Sequence, residues 1–228
     1  MSDDVKKKPT FWENTLKLGG ALGTILTLIL AFKTFPTDWR KADDAKIYGR
    51  CAFKAQTPPD IKRLNGYISE GEQYTANGSY QLAAHRFQQV IELDANYLAA
   101  HQDLGVVQLA QGDFKGAQSS FESEINLIDC WRSVPPADLH HFAYVLDKGN
   151  MNRQLSVSTY LLRLNAAEDT AHYNLACLFA KQRESAAALD ELKKAAEHHS
   201  IKREIVARDS DLRSVQREAG YNATLALF

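Results

Sequence analysis

The chain has 228 residues, 45% of them apolar and 24% charged. That is the balance of an ordinary folded protein, and it excludes a disordered tail, a collagen-like chain and a multi-span membrane protein. Lys and Arg total 27 against 28 Asp and Glu, a net charge of −1, so no basic field draws nucleic acid and no nucleic-acid partner is expected. Three cysteines are too few for a disulfide-built fold, and 12 glycines and 6 prolines leave few breakers, which predicts an all-α chain.

A tail, residues 1–13, comes first. Residues 18–32 then read LGGALGTILTLILAF without a charge. Fifteen residues make only about 22 Å of helix, short of the roughly 30 Å of bilayer hydrocarbon. Lys17 and Lys33 can bury their stems and keep their ammonium groups at the interface, which extends the span to residues 14–35. Phe11, Trp12, Phe35 and Trp39 fall where interfacial aromatics belong. The segment is read as a single-pass membrane anchor. A cleaved leader and a buried soluble helix are the competing readings, although no small-x-small cleavage site follows Ala31. Four basic residues on each side leave the face of the soluble body undetermined. Gly19 and Gly23 form a G-x-x-x-G pair, a membrane-helix packing motif through which the anchor would homodimerise.

Residues 36–59, with Pro36, Pro58 and Pro59, read as a linker. From residue 60 onward the pattern becomes paired amphipathic helices. In a frame opening at Leu64, the slots hold Tyr67, Gly71, Tyr74, Gly78, Tyr80, Ala83 and Phe87. Thirty-four residues later the same slots hold His101, Gly105, Gln108, Gly112, Phe114, Ala117 and Phe121. A further copy opens at Asp169 and places Ala176, Phe179, Ala188, Leu192 and Ala195. Period, small positions and aromatic positions agree together. The pattern resembles the tetratricopeptide repeat (TPR) family. "IELDANY" and "INLIDCW" stand where that family usually carries an acidic-proline turn, with Ala95 and Asp129 in the proline's place.

The resemblance covers residues 60–228 and divides them into units 64–97, 98–131, a degenerate 136–168, 169–202 and a cap over 203–228. In the degenerate unit, helices are expected over 136–148 and 151–164, with Gly149 between them. In the cap, Asp209 or Ser210 would begin a helix that buries Leu212, Val215 and Ala219. The fold class is therefore all-α: an N-terminal transmembrane helix, then an antiparallel helix-pair solenoid with a C-terminal capping helix.

The resemblance also implies a concave face lined by the first helix of each unit. Carried onto this chain, it yields Ile68, Glu72, Gln102, Val106, Leu109, Tyr173 and Lys181 as partner contacts. Of these only Lys181 is a cation, too few to clamp a terminal carboxylate, so the expected ligand is an apolar or amphipathic protein segment.

No phosphate loop, dinucleotide fingerprint or H-E-x-x-H is present, and the adjacent pairs His140, His141 and His198, His199 cannot chelate alone. Cys51 and Cys130 lack C-x-x-C spacing, so no redox role is expected. No catalytic residue, metal or cofactor is assigned. Two functions fit: a membrane-tethered interaction adaptor, or a structural subunit of a larger membrane complex.

Overall fold

The computed structural model describes residues 60–134 and 157–228, all within one unit of the chain, Cys51–Phe228. The anchor expected at 14–35, the linker and the helix expected at 136–148 lie outside the described residues. Among the described residues there is no strand, and no helix is long and apolar enough to cross a membrane.

Three antiparallel helix pairs follow in order. They are α1 (Ile61–Ala76) with α2 (Tyr80–Leu93), α3 (Ala100–Gln111) with α4 (Phe114–Arg132), and α5 (Val157–Lys181) with α6 (Ser185–Ala195). Two short helices, α7 (Arg203–Arg208) and α8 (Tyr221–Leu225), end the chain. Each of the first six helices packs mainly on its neighbours in sequence, the nearest-neighbour pattern of a repeat array.

The small slot of each first helix lets the second approach. A Cβ built on Gly71 would lie 2.8 Å from the Phe87 ring, and one on Gly105 would lie 2.5 Å from the Phe121 ring. Both contacts are shorter than carbon atoms tolerate. In the third pair the same two slots hold Ala176 and Leu192, both fully buried. A methyl gained on one helix there faces a ring lost from the other.

The turn inside each pair is also shared. Ser79, Asp113 and Glu184 donate their backbone N–H to Tyr74, Gln108 and Phe179 at 2.8, 2.9 and 2.8 Å, closing the first helix with a Schellman-type bond. That geometry needs a left-handed residue, supplied by Gly78 (φ 72°), Gly112 (φ 80°) and, without glycine, Arg183 (φ 64°).

Stacking between pairs reuses fixed slots. Phe87 packs with Leu104 and Val107 of the second pair. Phe121 packs with Leu175 and Leu178, which hold the same two slots of the third pair. The third pair therefore takes the next place after the second in the stack. The first helix and turn expected of the degenerate unit before it lie outside the described residues. The helix expected at 151–164 is represented by the first turns of α5, which runs unbroken across the 168/169 boundary. There Tyr160 and Leu164 pack with Trp131, Ile128, Leu98 and Leu64 in one buried cluster.

The two expected acidic turns also part company. Asp94 ends α2, but Asp129 lies inside α4, which continues to Arg132. No proline interrupts α4 there, and Leu127, Ile128 and Trp131 stay buried on one face. The expected single capping helix is instead α7, a run of turns and α8. Leu212 and Val215 are fully buried as the spacing required, whereas Ala219 is exposed. Asp209 closes α7 rather than opening a helix, and its Oδ1 accepts the Asp211 N–H at 2.8 Å. Cys130 is disulfide-bonded, and Cys177 is a free, buried thiol.

Two stability outcomes are expected. Arg183→Gly removes left-handed strain at an exposed turn and should stabilise the array by about 0.5–1 kcal/mol, read as a raised urea midpoint at constant m. Gly105→Ala should cost about 1–3 kcal/mol through overpacking against Phe121. Adding Phe121→Leu should recover part of that loss, giving a coupling energy of about 1 kcal/mol or more in a double-mutant cycle.

Candidate interaction face

The seven expected contact residues separate into two groups. Ile68 and Glu72 lie on α1, and Gln102, Val106 and Leu109 on α3. Ile68 is half-buried against the first core cluster, and Leu109 against the Phe121 cluster. Glu72 is exposed, Gln102 half-buried, and Val106 is 39% exposed. Val106 keeps its side chain in water because Leu104, Gly105 and Val107 turn inward around it.

The second group faces the chain itself. Tyr173 and Lys181 lie on α5, where the C-terminal segment lies against them. The Tyr173 hydroxyl donates to Asp209 Oδ2, and the Cys177 thiol points to the same oxygen at 3.7 Å. Lys181 Nζ pairs with Asp211 Oδ1 at 2.7 Å, and Ser214 Oγ donates to the Ala180 carbonyl at 2.7 Å. Beneath these bonds Val206, Leu212, Val215 and Tyr221 join Ala176, Ala188, Leu192 and Ala195 in one buried cluster. Tyr173 and Lys181 were expected to meet a partner. Here both are engaged by the chain's own segment, because an array must cover its last apolar face.

The electrostatics of this corner follow from burial. Burial, and then the bond to Asp209, push the Tyr173 hydroxyl far above its ordinary range. Burial and the Asp209 and Asp211 carboxylates do the same to Cys177. The thiol therefore stays protonated and poorly nucleophilic.

A second polar network joins α4, α5 and the chain after α6. Glu168 accepts from Arg132 and lies 2.9 Å from His198 Nε2. Burial raises its pKa, but these two donors prevail and hold the carboxyl below its usual range. One residue on, Asp169 is fully buried and accepts from the backbone of His198 at 3.3 Å and of Ser200 at 3.0 Å, and from Ser200 Oγ at 2.6 Å. Sequence reasoning gave Asp209 only a helix-capping role and Asp169 only the opening of a repeat frame, and it did not foresee the contacts of Asp209, Asp211, Asp169 or Glu124. The signal for the last two was the repeat frame, in which their slots are otherwise apolar.

His172 Nδ1 lies 2.6 Å from Glu191 Oε2, and burial lowers the pKa of His101. The two histidines share a repeat slot but not a site. Among the described residues no group of three or more His, Cys, Asp or Glu could hold a metal ion.

The helix pairs, the shared small and aromatic slots and the common turn define a helical-repeat scaffold, a class that typically presents surfaces for protein contacts. Residues 74–123, from the end of α1 to the middle of α4, match the family model of the tetratricopeptide repeat. Comparison with curated proteins and with solved structures gave no significant match.

The half-buried bonds at Asp209 should matter more than the exposed ion pair. Asp209→Ala should destabilise the chain by about 1–3 kcal/mol by orphaning the buried Tyr173 hydroxyl, and should speed tryptic cleavage after Arg208 and Arg213. Lys181→Ala should change stability by less than about 0.5 kcal/mol, since its ion pair is solvated.

Proposed function

We propose that this protein is a membrane-tethered interaction adaptor without catalytic activity. Its repeat array takes an apolar or amphipathic segment of one protein partner on the α1 and α3 face. The observation that carries this reading is Val106, an exposed aliphatic side chain in the middle of α3, within the stretch that matches the tetratricopeptide repeat model. In that family the slots of Glu72, Gln102 and Val106 line the inner face. An amphipathic helix laid there would bury Val106 and reach Ile68 and Leu109 at the groove edge, with Glu72 and Gln102 as polar contacts. Tyr173 and Lys181 belong to the seat of the C-terminal segment, so the partner face is shorter than the repeat frame alone implies.

Residues 14–35 serve as the tether. Confinement at a membrane raises the local concentration of array and partner without any added contact. Gly19 and Gly23 are the packing positions through which two anchors would pair. The alternative reading, a structural subunit of a larger membrane complex, makes the span rather than the array the assembly element.

Pull-down of the full chain in mild detergent, with bound proteins identified by mass spectrometry, separates these readings. Val106→Asp should abolish capture while the helical circular-dichroism spectrum and the melting temperature stay within about 2 °C of wild type. Val106 is the right probe because Leu109 also packs on Phe121 and would confound binding with stability. Capture that survives Val106→Asp but is lost on replacing Gly19 and Gly23 with Leu would overturn the adaptor reading in favour of the subunit.

A further inference from the structure

The junction between the first two helix pairs contains a group that the packing does not need. Glu124, on α4, is 0% exposed. In the repeat frame its slot is held 34 residues earlier by Val90 and 71 residues later by Ala195, both also 0% exposed. The slot is therefore a core position that two sister helices fill with hydrocarbon. Burying a carboxyl there costs desolvation that a valine would avoid.

Glu124 reaches across to the start of α3. Its Oε1 accepts the Ala99 N–H at 2.7 Å, and its Oε2 has no hydrogen-bond partner among the described residues. Ala99 is the residue before α3 and stands in the left-handed region, φ 76° and ψ −13°. A non-glycine residue holds that conformation only when its surroundings impose it. The carboxyl thus pins a strained hinge immediately before α3, the helix that carries Gln102 and Val106.

The groups facing the carboxyl make both of its protonation states imperfect. Asp103 of α3 is the charged side chain that acts on it, and it is a like charge. The amides of Ala99, Gln102 and His101 favour the anion. The His101 ring is held toward its neutral form by burial, so it supplies no compensating cation. Asp94 and Glu72 lie at the same junction and act on the Tyr97 hydroxyl, which burial and the Asp103, Glu72 and Asp94 carboxylates together push up to about 12. The anion gains a charge-assisted bond to Ala99 but remains dry and close to Asp103. The neutral acid escapes the burial cost.

We propose that Glu124 is a proton-linked latch on this hinge: its neutral form keeps the first two helix pairs closed on each other, and its ionisation loosens the start of α3. Burial, partly opposed by the nearby amides, pushes the carboxyl up to about 7, which puts the change in the physiological range. The closed state binds the proton more tightly than an opened, hydrated junction does. Closure is therefore strongest below the ordinary carboxyl range and weakens as pH rises through about 7. The latch stands on its own geometry, independently of whether a partner binds α3.

Hydrogen exchange of the full chain in mild detergent tests it. After correction for the intrinsic rate, the opening equilibrium of amides in residues 99–103 should rise about tenfold between pH 6 and pH 8. Amides of α6 serve as the internal reference and should not change. Glu124→Gln and Glu124→Val, the second copying Val90, should both abolish the pH dependence. Identical profiles in wild type and variants, or a flat wild-type profile, would overturn the proposal. If neither variant folds, the carbon-13 shift of the wild-type Glu124 carboxyl decides: a midpoint near 7 supports the latch, and one near 4.5 rejects it.

Discussion

The array depends on how closely the two helices of each pair can approach. Gly71 and Gly105 admit the rings of Phe87 and Phe121 to distances that no side chain on the first helix would permit. Each ring then reaches through to the following pair, where it meets Leu104 and Val107 or Leu175 and Leu178. One small residue thus sets both the spacing within a pair and the stacking between pairs. The third pair keeps the rule with the volumes exchanged, Ala176 against Leu192. Interiors packed at crystal-like density conserve total volume at such a contact, not the identity of either residue.

Connections between pairs obey a different constraint. The tetratricopeptide repeat usually stiffens them with proline, and the turn between the first two pairs has Ala95 in that place. Side chains from the neighbouring helix take over. Trp131 donates its indole N–H to the Asn96 carbonyl at 2.9 Å, and Glu124 takes the Ala99 amide. Asp169 does the same for the chain after α6, accepting from His198 and Ser200. Both acids occupy slots that are apolar elsewhere in the array, Val90 and Ala195 for Glu124, and Leu64 and Leu98 for Asp169. Asp169 has donors at both oxygens, whereas Glu124 has a donor at one. That difference separates a structural anchor from a group whose ionisation is coupled to its hinge.

The C-terminal segment decides how much of the array faces outward. By packing Val206, Leu212, Val215 and Tyr221 on α5 and α6, it covers the apolar surface that the last pair would otherwise expose. Asp209, Asp211 and Ser214 set its register on Tyr173, Lys181 and Ala180. What stays accessible from the expected face is the α1 and α3 portion around Val106, and a partner would have to be read there.

Much of this fold was legible in residue order alone. The period of 34, the small and aromatic slots and the turn glycines are local or repeating, so a single chain displays them several times over. They determine the helix pairs and the first two turns, and the spacing within the last segment foretold the burial of Leu212 and Val215. Tertiary packing decided the rest. Nothing in the spacing of residues 132–168 shows that α5 runs unbroken through an expected boundary, because a helix continues or stops according to what its next turn can bury. The use of Tyr173 and Lys181 as a seat depends on a segment about 30 residues away. The roles of Glu124 and Asp169 depend on which turn lies opposite them, and only contact across the fold turns a misplaced acid into an anchor or a latch.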